Sequence, residues 1–388
     1  MDIFAWLSQL IALDTTSRHS NLELITLIQS FLLKQGWMIR ITRDAHEQKA
    51  NLFATLPGRH GGMEGGLILS GHTDVVPVEG QKWQTNPFAA LRLDDRIYGR
   101  GTCDMKGFLA VILALAPAFQ KLTLHKPLHL AFSYDEEVGC RGAPLLIDDL
   151  QKAGIKPGAC IVGEPTSLHP VVAHKGIQGF KCTVKGHAMH SSLTPEGCNA
   201  IEYAAQLIGY IRHLADEFRQ KGPFDLHYDV PFTTISTNKI TGGNAVNTIP
   251  ASCEFIFEFR NLPEIKPQDV KDKILSYIQN ELQVHMQREN KDTSITLQSF
   301  AAVPYFEADK NSLIYDLAYK LSGVKEIRKV AYATEAGQFQ AAGIPTIVCG
   351  PGSIEQAHGP DEFVSVEDLY KCEKFLREVV SEFCGVEK

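Results

Sequence analysis

The chain has 388 residues, which is too long for one ordinary hydrophobic core, so we expect two domains. Its 44% hydrophobic and 21% charged residues are typical of a soluble globular protein and exclude an extended disordered chain. The formal net charge of -7 offers no basic surface, so nucleic acid is not an expected partner.

The N-terminal segment predicts an amphipathic helix, because apolar residues recur at helical spacing from Ile3 to Ile11. No basic leader precedes them, so we do not expect a signal peptide. The longest apolar run, 107–119, is too short to cross a bilayer, and no membrane partner is expected. The nine cysteines form no C-x-x-C pair, which argues against a disulfide scaffold or a thiolate zinc site and favours a cytoplasmic protein.

The first part of the chain predicts an α/β sheet with helices on both faces. Short apolar runs at 67–69, 128–132 and 159–162 are typical of strands that are buried on both faces. Helical patterns lie between them, at 106–120 and 143–153. Such alternation is the pattern of an α/β domain.

A different pattern begins near Lys175. The predicted elements then follow the order β-α-β-β-α-β of a ferredoxin-like unit. The strands are expected at 180–184 and at about 232–240, 252–260 and 294–300, and the helices at about 199–220 and 267–283. This segment would form a self-contained inserted domain.

The α/β pattern resumes after the insertion, with a strand at 345–349 and a closing helix at 366–384. We therefore predict a two-domain α/β protein in which two separate segments form one domain. The predicted segments are 1–175 and 303–388 for the α/β domain and 176–302 for the inserted domain.

Acidic and histidine side chains follow the predicted strands of the α/β domain. They are His72 and Asp74 after the first strand, Glu136 and Glu137 after the second, Glu164 after the third, His358 after the strand at 345–349, and Asp104 in a glycine-rich turn that opens a helix. Because ligands gather at the carboxyl ends of strands in open α/β sheets, we expect these side chains to converge. Imidazoles and carboxylates suit Zn²⁺ or Co²⁺, and a bridging carboxylate would allow two metals. Each residue alone also has an ordinary interpretation, as a helix cap, an acidic turn or a surface histidine.

Five motifs occur in order along nearly the whole chain. They are SGHTDVVP (70–77), GRGTCDMKG (99–107), DEEVG (135–139), GEPT (163–166) and AHGPDE (357–362). Together they closely resemble the dinuclear-zinc deacylase and exopeptidase family, which includes aminoacylase, the glutamate carboxypeptidases and succinyl-diaminopimelate desuccinylase. The resemblance implies a zinc-dependent exopeptidase-like catalytic domain. It also implies that the inserted domain is a lid and dimerisation domain, and therefore that the protein is a homodimer.

The resemblance implies two zinc ions per subunit, with cobalt as a substitute. The implied ligands are His72, Asp104 and Glu164 for one metal and Asp104, Glu137 and His358 for the other. Asp74 would accept a hydrogen bond from the first histidine and fix its tautomer. Glu136 would be the general base that takes a proton from the attacking water. The peptide bond between Asp104 and Met105 would be cis.

Three residues of the inserted domain also match the family. His190, in KGHAMHSS (185–192), resembles a histidine that reaches the active site of the partner subunit; without the resemblance it would be interpreted as a surface histidine. Asn247 and Arg260 resemble contacts to the substrate carboxylate, a task that suits the planar guanidinium group. Strand alternation allows Arg260 a cross-strand salt bridge instead.

Three further segments, 14–22, 333–337 and 350–358, resemble the family members that deacetylate N-acetylornithine. We expect that N-acyl amino acid as the substrate, with Glu335 as the acceptor for its side-chain ammonium or, alternatively, as a structural glutamate paired with a cation. Deacylases of N-acetylcitrulline or N-succinyl-diaminopimelate are the alternatives within the family. A metal-free protein that binds amino acids or peptides is the alternative outside it, but such a protein should lack ligands or the base, and all are present.

Overall fold

The computed structural model describes residues 1–386, which form two compact units. The first unit comprises Met1–Ala173, Phe306–Lys329 and the chain from Thr334 onwards, and the second unit comprises His174–Tyr305 and Val330–Ala333. The helices are α1 (Ile3–Ala12), α2 (Leu22–Lys34), α3 (Lys106–Phe119), α4 (Gly142–Lys152), α5 (Ala200–Lys221), α6 (Pro267–Tyr277), α7 (Gln283–Glu289), α8 (Leu313–Ser322), α9 (Ala336–Ala341) and α10 (Val366–Cys384). The strands are β1 (Met38–Arg43), β2 (Ala50–Leu56), β3 (Leu67–His72), β4 (Leu91–Leu93), β5 (Arg96–Tyr98), β6 (Leu128–Ser133), β7 (Ala159–Val162), β8 (Val171–His174), β9 (Gly176–Lys185), β10 (Thr234–Gly242), β11 (Ser252–Asn261), β12 (Ser294–Val303), β13 (Phe306–Glu307), β14 (Arg328–Val330), β15 (Thr346–Val348) and β16 (Phe363–Ser365).

The large sheet has the strand order β1-β2-β6-β3-β7-β15-β8-β13, and β14 pairs with β8. Its centre, β6-β3-β7-β15, is parallel, whereas β1, β2 and β8 pair antiparallel with their neighbours. Every residue of β3, β6 and β7 is buried, because these strands are covered on both faces and their sequences are almost continuously apolar. The strands predicted at 67–69, 128–132 and 159–162 are confirmed.

Two groups of helices pack around the large sheet. Helices α1 and α10 contact α3, which lies against β3, while α4 contacts α9 together with β1, β2 and β6. Helix α3 is buried along most of its length because its sequence is apolar on every side. Helix α10 begins where the Ser365 hydroxyl accepts a hydrogen bond from the Asp368 amide. The predicted α/β fold class is confirmed.

The second unit contains a four-stranded antiparallel sheet of order β10-β11-β9-β12. Its chain order, β9-α5-β10-β11-α6-α7-β12, is the β-α-β-β-α-β order of a ferredoxin-like unit. Buried and partly exposed residues alternate along β11, so one face of the sheet supplies the core of the second unit. On that face Phe257 stacks on Phe180, with 5.3 Å between the ring centroids. The helix predicted at about 267–283 is longer, because α6 continues through a π-helical turn, Ile278–Leu282, into α7.

Helix α5 shows how the sequence sets the limits of an element in the second unit. The Asn199 side chain accepts hydrogen bonds from the amides of Ile201 and Glu202, which defines the start of the helix. The helix ends at Gly222, whose φ of +73° lies in the region that glycine adopts readily. Among residues 1–386, no helix combines the length and the apolar character needed to span a membrane.

Candidate metal centre

The ends of neighbouring parallel strands bring the predicted ligands to one edge of the large sheet. His72 is the last residue of β3, and its strand partner in β6 is Ser133, three residues before Glu136. Glu164 lies two residues beyond β7, while His358 lies in the loop that follows β15. Parallel strands share one carboxyl edge, so residues that are distant in sequence meet there.

Two groups of three side chains meet around Asp104. Its Oδ1 lies 3.0 Å from Nε2 of His72, and its Oδ2 lies 3.1 Å from Nε2 of His358. The His358 Nε2 is also 3.1 Å from Oε2 of Glu137. The first triad is His72, Asp104 and Glu164, and the second triad is Asp104, Glu137 and His358. Within each triad the candidate ligand atoms lie within 4.8 Å of one another, and Asp104 belongs to both.

The donor atoms of the two triads suit a metal cation. Oε1 of Glu137 and Oε1 of Glu164 are buried and have no hydrogen-bond partner within residues 1–386. An unpaired buried carboxylate oxygen is costly, and a bound cation would satisfy it. Two imidazoles with three carboxylates form a ligand set that zinc and cobalt accept.

The side chains of the triads strongly perturb one another electrostatically. Burial raises the pKa of Glu164 well above its usual range and that of Glu137 to about 7. Burial also opposes ionisation of Asp104, but the hydrogen bonds from the two histidines outweigh it and hold the pKa of Asp104 low. The hydrogen bonds to Asp104 and Glu137 raise the pKa of His358 to about 10. A bound cation would reverse this balance by favouring ionised carboxylates and neutral imidazoles.

Asp74 supports the turn that carries the acidic pair. Its Oδ1 accepts a hydrogen bond from the Glu136 amide at 3.0 Å, and its Oδ2 accepts bonds from the Glu137 amide at 3.3 Å and the Ser17 hydroxyl at 2.7 Å. The Nδ1 of His72 lies 2.9 Å from the main-chain oxygen of Asp74 and 3.6 Å from its carboxylate. The main-chain carbonyl of Asp74 is thus the nearer partner of His72 Nδ1, and the Asp74 carboxylate also anchors the acidic turn. The effect of that carboxylate on the tautomer of His72 stays a prediction.

Glu136 lies beside the triads without belonging to either. Its Oε1 accepts a hydrogen bond from the Cys140 thiol at 3.2 Å, and a thiol is a weak donor. Burial raises the pKa of Glu136 well above its usual range. The peptide bond between Asp104 and Met105 is cis, as the family resemblance implies.

Glu335, the predicted ammonium acceptor, is buried beneath the strand ends. Only 1% of the residue is exposed, and its carboxylate accepts hydrogen bonds from the hydroxyls of Ser133 and Ser70. Burial raises its pKa to about 7. The carboxylate therefore interacts with two strand hydroxyls, and its role towards substrate stays a prediction.

The three candidate residues of the second unit lie on two of its loops and on β11. His190 is exposed, and its Nδ1 lies 2.8 Å from the Ser192 hydroxyl. The backbone of His190 forms a β-bridge with Thr248, and the neighbouring residue Asn247 is also exposed. Arg260 Nε donates to Glu258 of the same strand at 3.1 Å, so its ion pair runs along the strand and not across it. Roles for His190, Asn247 and Arg260 in catalysis or binding stay predictions.

Two charged residues with no assigned role in the sequence analysis lie against the second triad. Arg100 and Glu362 are both 1% exposed and form an ion pair of 2.6 Å between Nη1 and Oε2. Their signal in the sequence was the presence of opposite charges in two of the five motifs, GRGTCDMKG and AHGPDE. No sequence pattern indicated that the two charges meet.

An α/β sheet with two carboxylate-bridged triads at its carboxyl edge defines a metal-dependent hydrolase of the two-metal type. Residues 68–382 match Peptidase family M20/M25/M40, and the chain belongs to that family. The family predicted from the five motifs is confirmed.

Two bacterial relatives cover almost the whole chain, and both are named acetylornithine deacetylase. The protein of Pasteurella multocida (strain Pm70) is 37% identical over 375 residues, which are 96% of this chain and 94% of the relative. The protein of Photorhabdus laumondii subsp. laumondii is 35% identical over 379 residues, which are 96% of this chain and 93% of the relative.

Solved structures of the same family share the fold at lower sequence identity. The metallo-carboxypeptidase Sso-CP2 of Sulfolobus solfataricus has a TM-score of 0.73 at 20% identity, with 99% of each chain covered. The YXEP protein of Bacillus subtilis, described as a dinuclear metal binding peptidase of family M20, has a TM-score of 0.65 at 15% identity, also with 99% of each chain covered.

Proposed function

We propose that this hydrolase removes the acetyl group from N2-acetyl-L-ornithine and releases L-ornithine and acetate, a step of arginine biosynthesis. The substrate rests on the acetylornithine deacetylases that are 33–37% identical over 96% of the chain. The hydrolytic chemistry rests on one observation, the two triads that share Asp104.

The first triad and the second triad would each hold one zinc ion, with Asp104 as the bridge and cobalt as a substitute. The unpaired buried oxygens of Glu137 and Glu164 support this assignment. When bound, the two cations would acidify a water molecule and polarise the acyl carbonyl group.

Glu136 is the proposed general base. It stands outside both triads, and its backbone is anchored by Asp74. Within residues 1–386 its carboxylate accepts a hydrogen bond only from the Cys140 thiol, a weak donor, so an oxygen is available for a proton. Glu136 takes a proton from the attacking water. It then passes that proton to the nitrogen of ornithine as the C–N bond breaks.

The second unit is proposed to act as the lid and dimerisation domain of a cytoplasmic homodimer. His190 is exposed on a loop, which suits a histidine that reaches the active site of the partner subunit and stabilises the oxyanion. Arg260 and the exposed Asn247 would bind the substrate α-carboxylate. The nine cysteines are free within residues 1–386, which agrees with a reducing compartment.

A substrate panel tests the proposal. Amine release is measured for N-acetylornithine, N-acetylcitrulline, N-succinyl-diaminopimelate and N-acetylmethionine, with the zinc content of the purified protein measured in parallel. We expect two zinc ions per chain and the highest kcat/KM on N-acetylornithine. If kcat/KM is higher on N-acetylcitrulline or N-succinyl-diaminopimelate, that compound would replace N-acetylornithine as the proposed substrate. Ligand binding without metal or turnover would identify a binding protein.

A further inference from the structure

The guanidinium group of Arg100 donates hydrogen bonds to five acceptors, of which the Pro77 carbonyl, 3.5 Å from Nη2, is the most distant. Its Nη1 donates hydrogen bonds to Oε2 of Glu362 at 2.6 Å and to the carbonyl of Gly359 at 3.2 Å. Its Nη2 donates to Oε1 of Gln81 at 2.6 Å and to the carbonyl of His358 at 3.3 Å. The planar guanidinium fork can serve these separate acceptors at once.

Glu362 extends the same network to the bridging aspartate. Its Oε1 accepts hydrogen bonds from the main-chain amides of Cys103 at 2.9 Å and Asp104 at 3.0 Å. Its Oε2 is the partner of Arg100. One buried ion pair thus connects the backbone of the Asp104 turn with the backbone of the His358 loop.

His358 needs such support more than the other ligands do. Its φ is +64° and its side chain is 51% exposed, whereas the side chains of His72, Asp104 and Glu137 are at most 7% exposed. A residue with a side chain in this left-handed region is uncommon and is held there by its surroundings. Its carbonyl accepts bonds from Arg100 and, at 2.7 Å, from Nε2 of Gln81.

Stability alone is a poor explanation for the pair. Burying two charges costs desolvation energy that their attraction often only offsets, and apolar residues of similar volume frequently stabilise a protein as well or better. An apolar pair, however, could not form the hydrogen bonds that Arg100 and Glu362 make to the backbone of the Asp104 turn and of the His358 loop.

We propose that Arg100 and Glu362 are positioning residues that set the spacing between Asp104 and His358 and thereby the affinity of the second triad for its metal. The inference rests on the proposed two-metal site. It assigns the pair no contact with substrate and no proton to transfer.

Calorimetric titration of metal-free protein with Zn²⁺ tests this role. The wild-type chain should bind two ions in separable steps. Arg100→Met should weaken one step by about 10- to 100-fold, the usual effect of removing a group that orients a ligand. The other step, at the first triad, is the internal control and should change by less than about threefold, since Arg100 bonds directly to the His358 loop while Glu362 keeps its own bonds to the Asp104 turn.

Comparison variants identify which step is lost. His358→Ala should lose the same step as Arg100→Met, whereas His72→Ala should lose the other. The double variant Arg100→Met/His358→Ala should bind its one ion as tightly as His358→Ala alone, because Arg100 acts through His358. Arg40→Met is the matched control for the loss of an arginine–carboxylate pair, since Arg40 bonds to both oxygens of Asp149 and to neither triad. It should leave both binding steps unchanged.

Two milder variants keep the test valid if Arg100→Met does not fold. Arg100→Lys retains the charge but not the fork, and Gln81→Leu removes a partly exposed side chain that bonds to the His358 carbonyl. Both should weaken the same step by a smaller factor.

The outcomes separate the two proposals. Equal weakening of both steps, or two unchanged steps in folded Arg100→Met and Gln81→Leu, would overturn the positioning role. A wild-type chain that binds no Zn²⁺ would instead overturn the proposed function.

Discussion

Asp74→Asn separates two ways in which this residue could act. If the side chain serves His72, the variant should lose metal affinity at the first triad. If it serves the acidic turn, the variant should keep its metal and lose activity. The distances favour the turn, because the carboxylate lies 3.0 Å from the Glu136 amide but 3.6 Å from His72 Nδ1.

The expected loss follows from the hydrogen bonds of the carboxylate. Its two oxygens accept from two main-chain amides and the Ser17 hydroxyl, and the site is 2% exposed. Asparagine is neutral and replaces one oxygen with a donor, so both amides of the Glu136–Glu137 turn lose a charged acceptor and at most one keeps its oxygen. A hydrogen bond to a charged group is worth about 1.5–3 kcal/mol, which corresponds to roughly a 10- to 150-fold lower kcat/KM.

The assay combines amine release from N-acetylornithine with calorimetric Zn²⁺ titration. Asp74→Asn should lower kcat/KM by that factor, with Zn²⁺ affinity at the first triad unchanged within about threefold. Ser17→Ala is the matched control, since it removes a donor to the same carboxylate but leaves both amide bonds of the acidic turn in place, so kcat/KM should fall by a smaller factor than in Asp74→Asn. Unchanged kcat/KM, or a Zn²⁺ affinity that falls as far as kcat/KM, would refute this role of Asp74.

Four further predictions concern catalysis, assembly, selectivity and stability. Glu136→Gln should lower kcat by about 10²–10⁴-fold with zinc content near normal, because the amide cannot accept the proton of the water; the adjacent Glu137→Gln should instead weaken Zn²⁺ binding at the second triad. His190→Ala should lower kcat without loss of zinc, and subunit exchange with Glu136→Gln should restore activity, since one site of each mixed dimer would keep both groups. Glu335→Gln should reduce hydrolysis of N-acetylornithine roughly 10- to 100-fold more than hydrolysis of N-acetylmethionine, because a charge-assisted bond to the ammonium would be lost. Burial lowers the pKa of His129 to about 4, whereas a histidine of the unfolded chain has a pKa of about 6.5, so the unfolded chain takes up the proton first as the pH falls. The free energy of unfolding in urea should therefore decrease by about 2 kcal/mol from about pH 7.5 to about pH 5. His129→Gln should remove this part of the decrease.

Each of these predictions has a result that contradicts it. Wild-type turnover in Glu136→Gln would remove its role as base. Mixed dimers that form but stay inactive would rule out a cross-subunit role for His190. Equal losses on both substrates would make Glu335 a structural residue, and an unchanged acid dependence in His129→Gln would assign the decline to other groups.

The buried central strands and the main helices were predictable because their signals are local. A strand buried on both faces is apolar throughout, as in β3, β6 and β7, and α10 combines apolar periodicity with a serine cap. The same local signals indicated the β-α-β-β-α-β order of the second unit.

Elements without a strong local signal were not predicted. Strand β1 is mostly exposed and forms through pairing with β2, and β13 has only two residues, so the partner decides whether such a segment is a strand. The π-helical turn between α6 and α7 also has no sequence signal of its own that we identified.

The sequence by itself determined which acidic and histidine side chains follow each strand, and it contained the motifs that define the family. These properties are local, because a side chain carries its donor atoms wherever it lies and a strand end is set by its own residues. Only the tertiary structure decided which atoms meet. It placed the two oxygens of Asp104 against separate histidines, directed the Asp74 carboxylate to the acidic turn, and joined Arg100 to Glu362 across 262 residues of chain. Such contacts depend on the order of the strands in the sheet and on the path of the loops at its edge. A local sequence pattern does not indicate which residues distant in the chain come into contact.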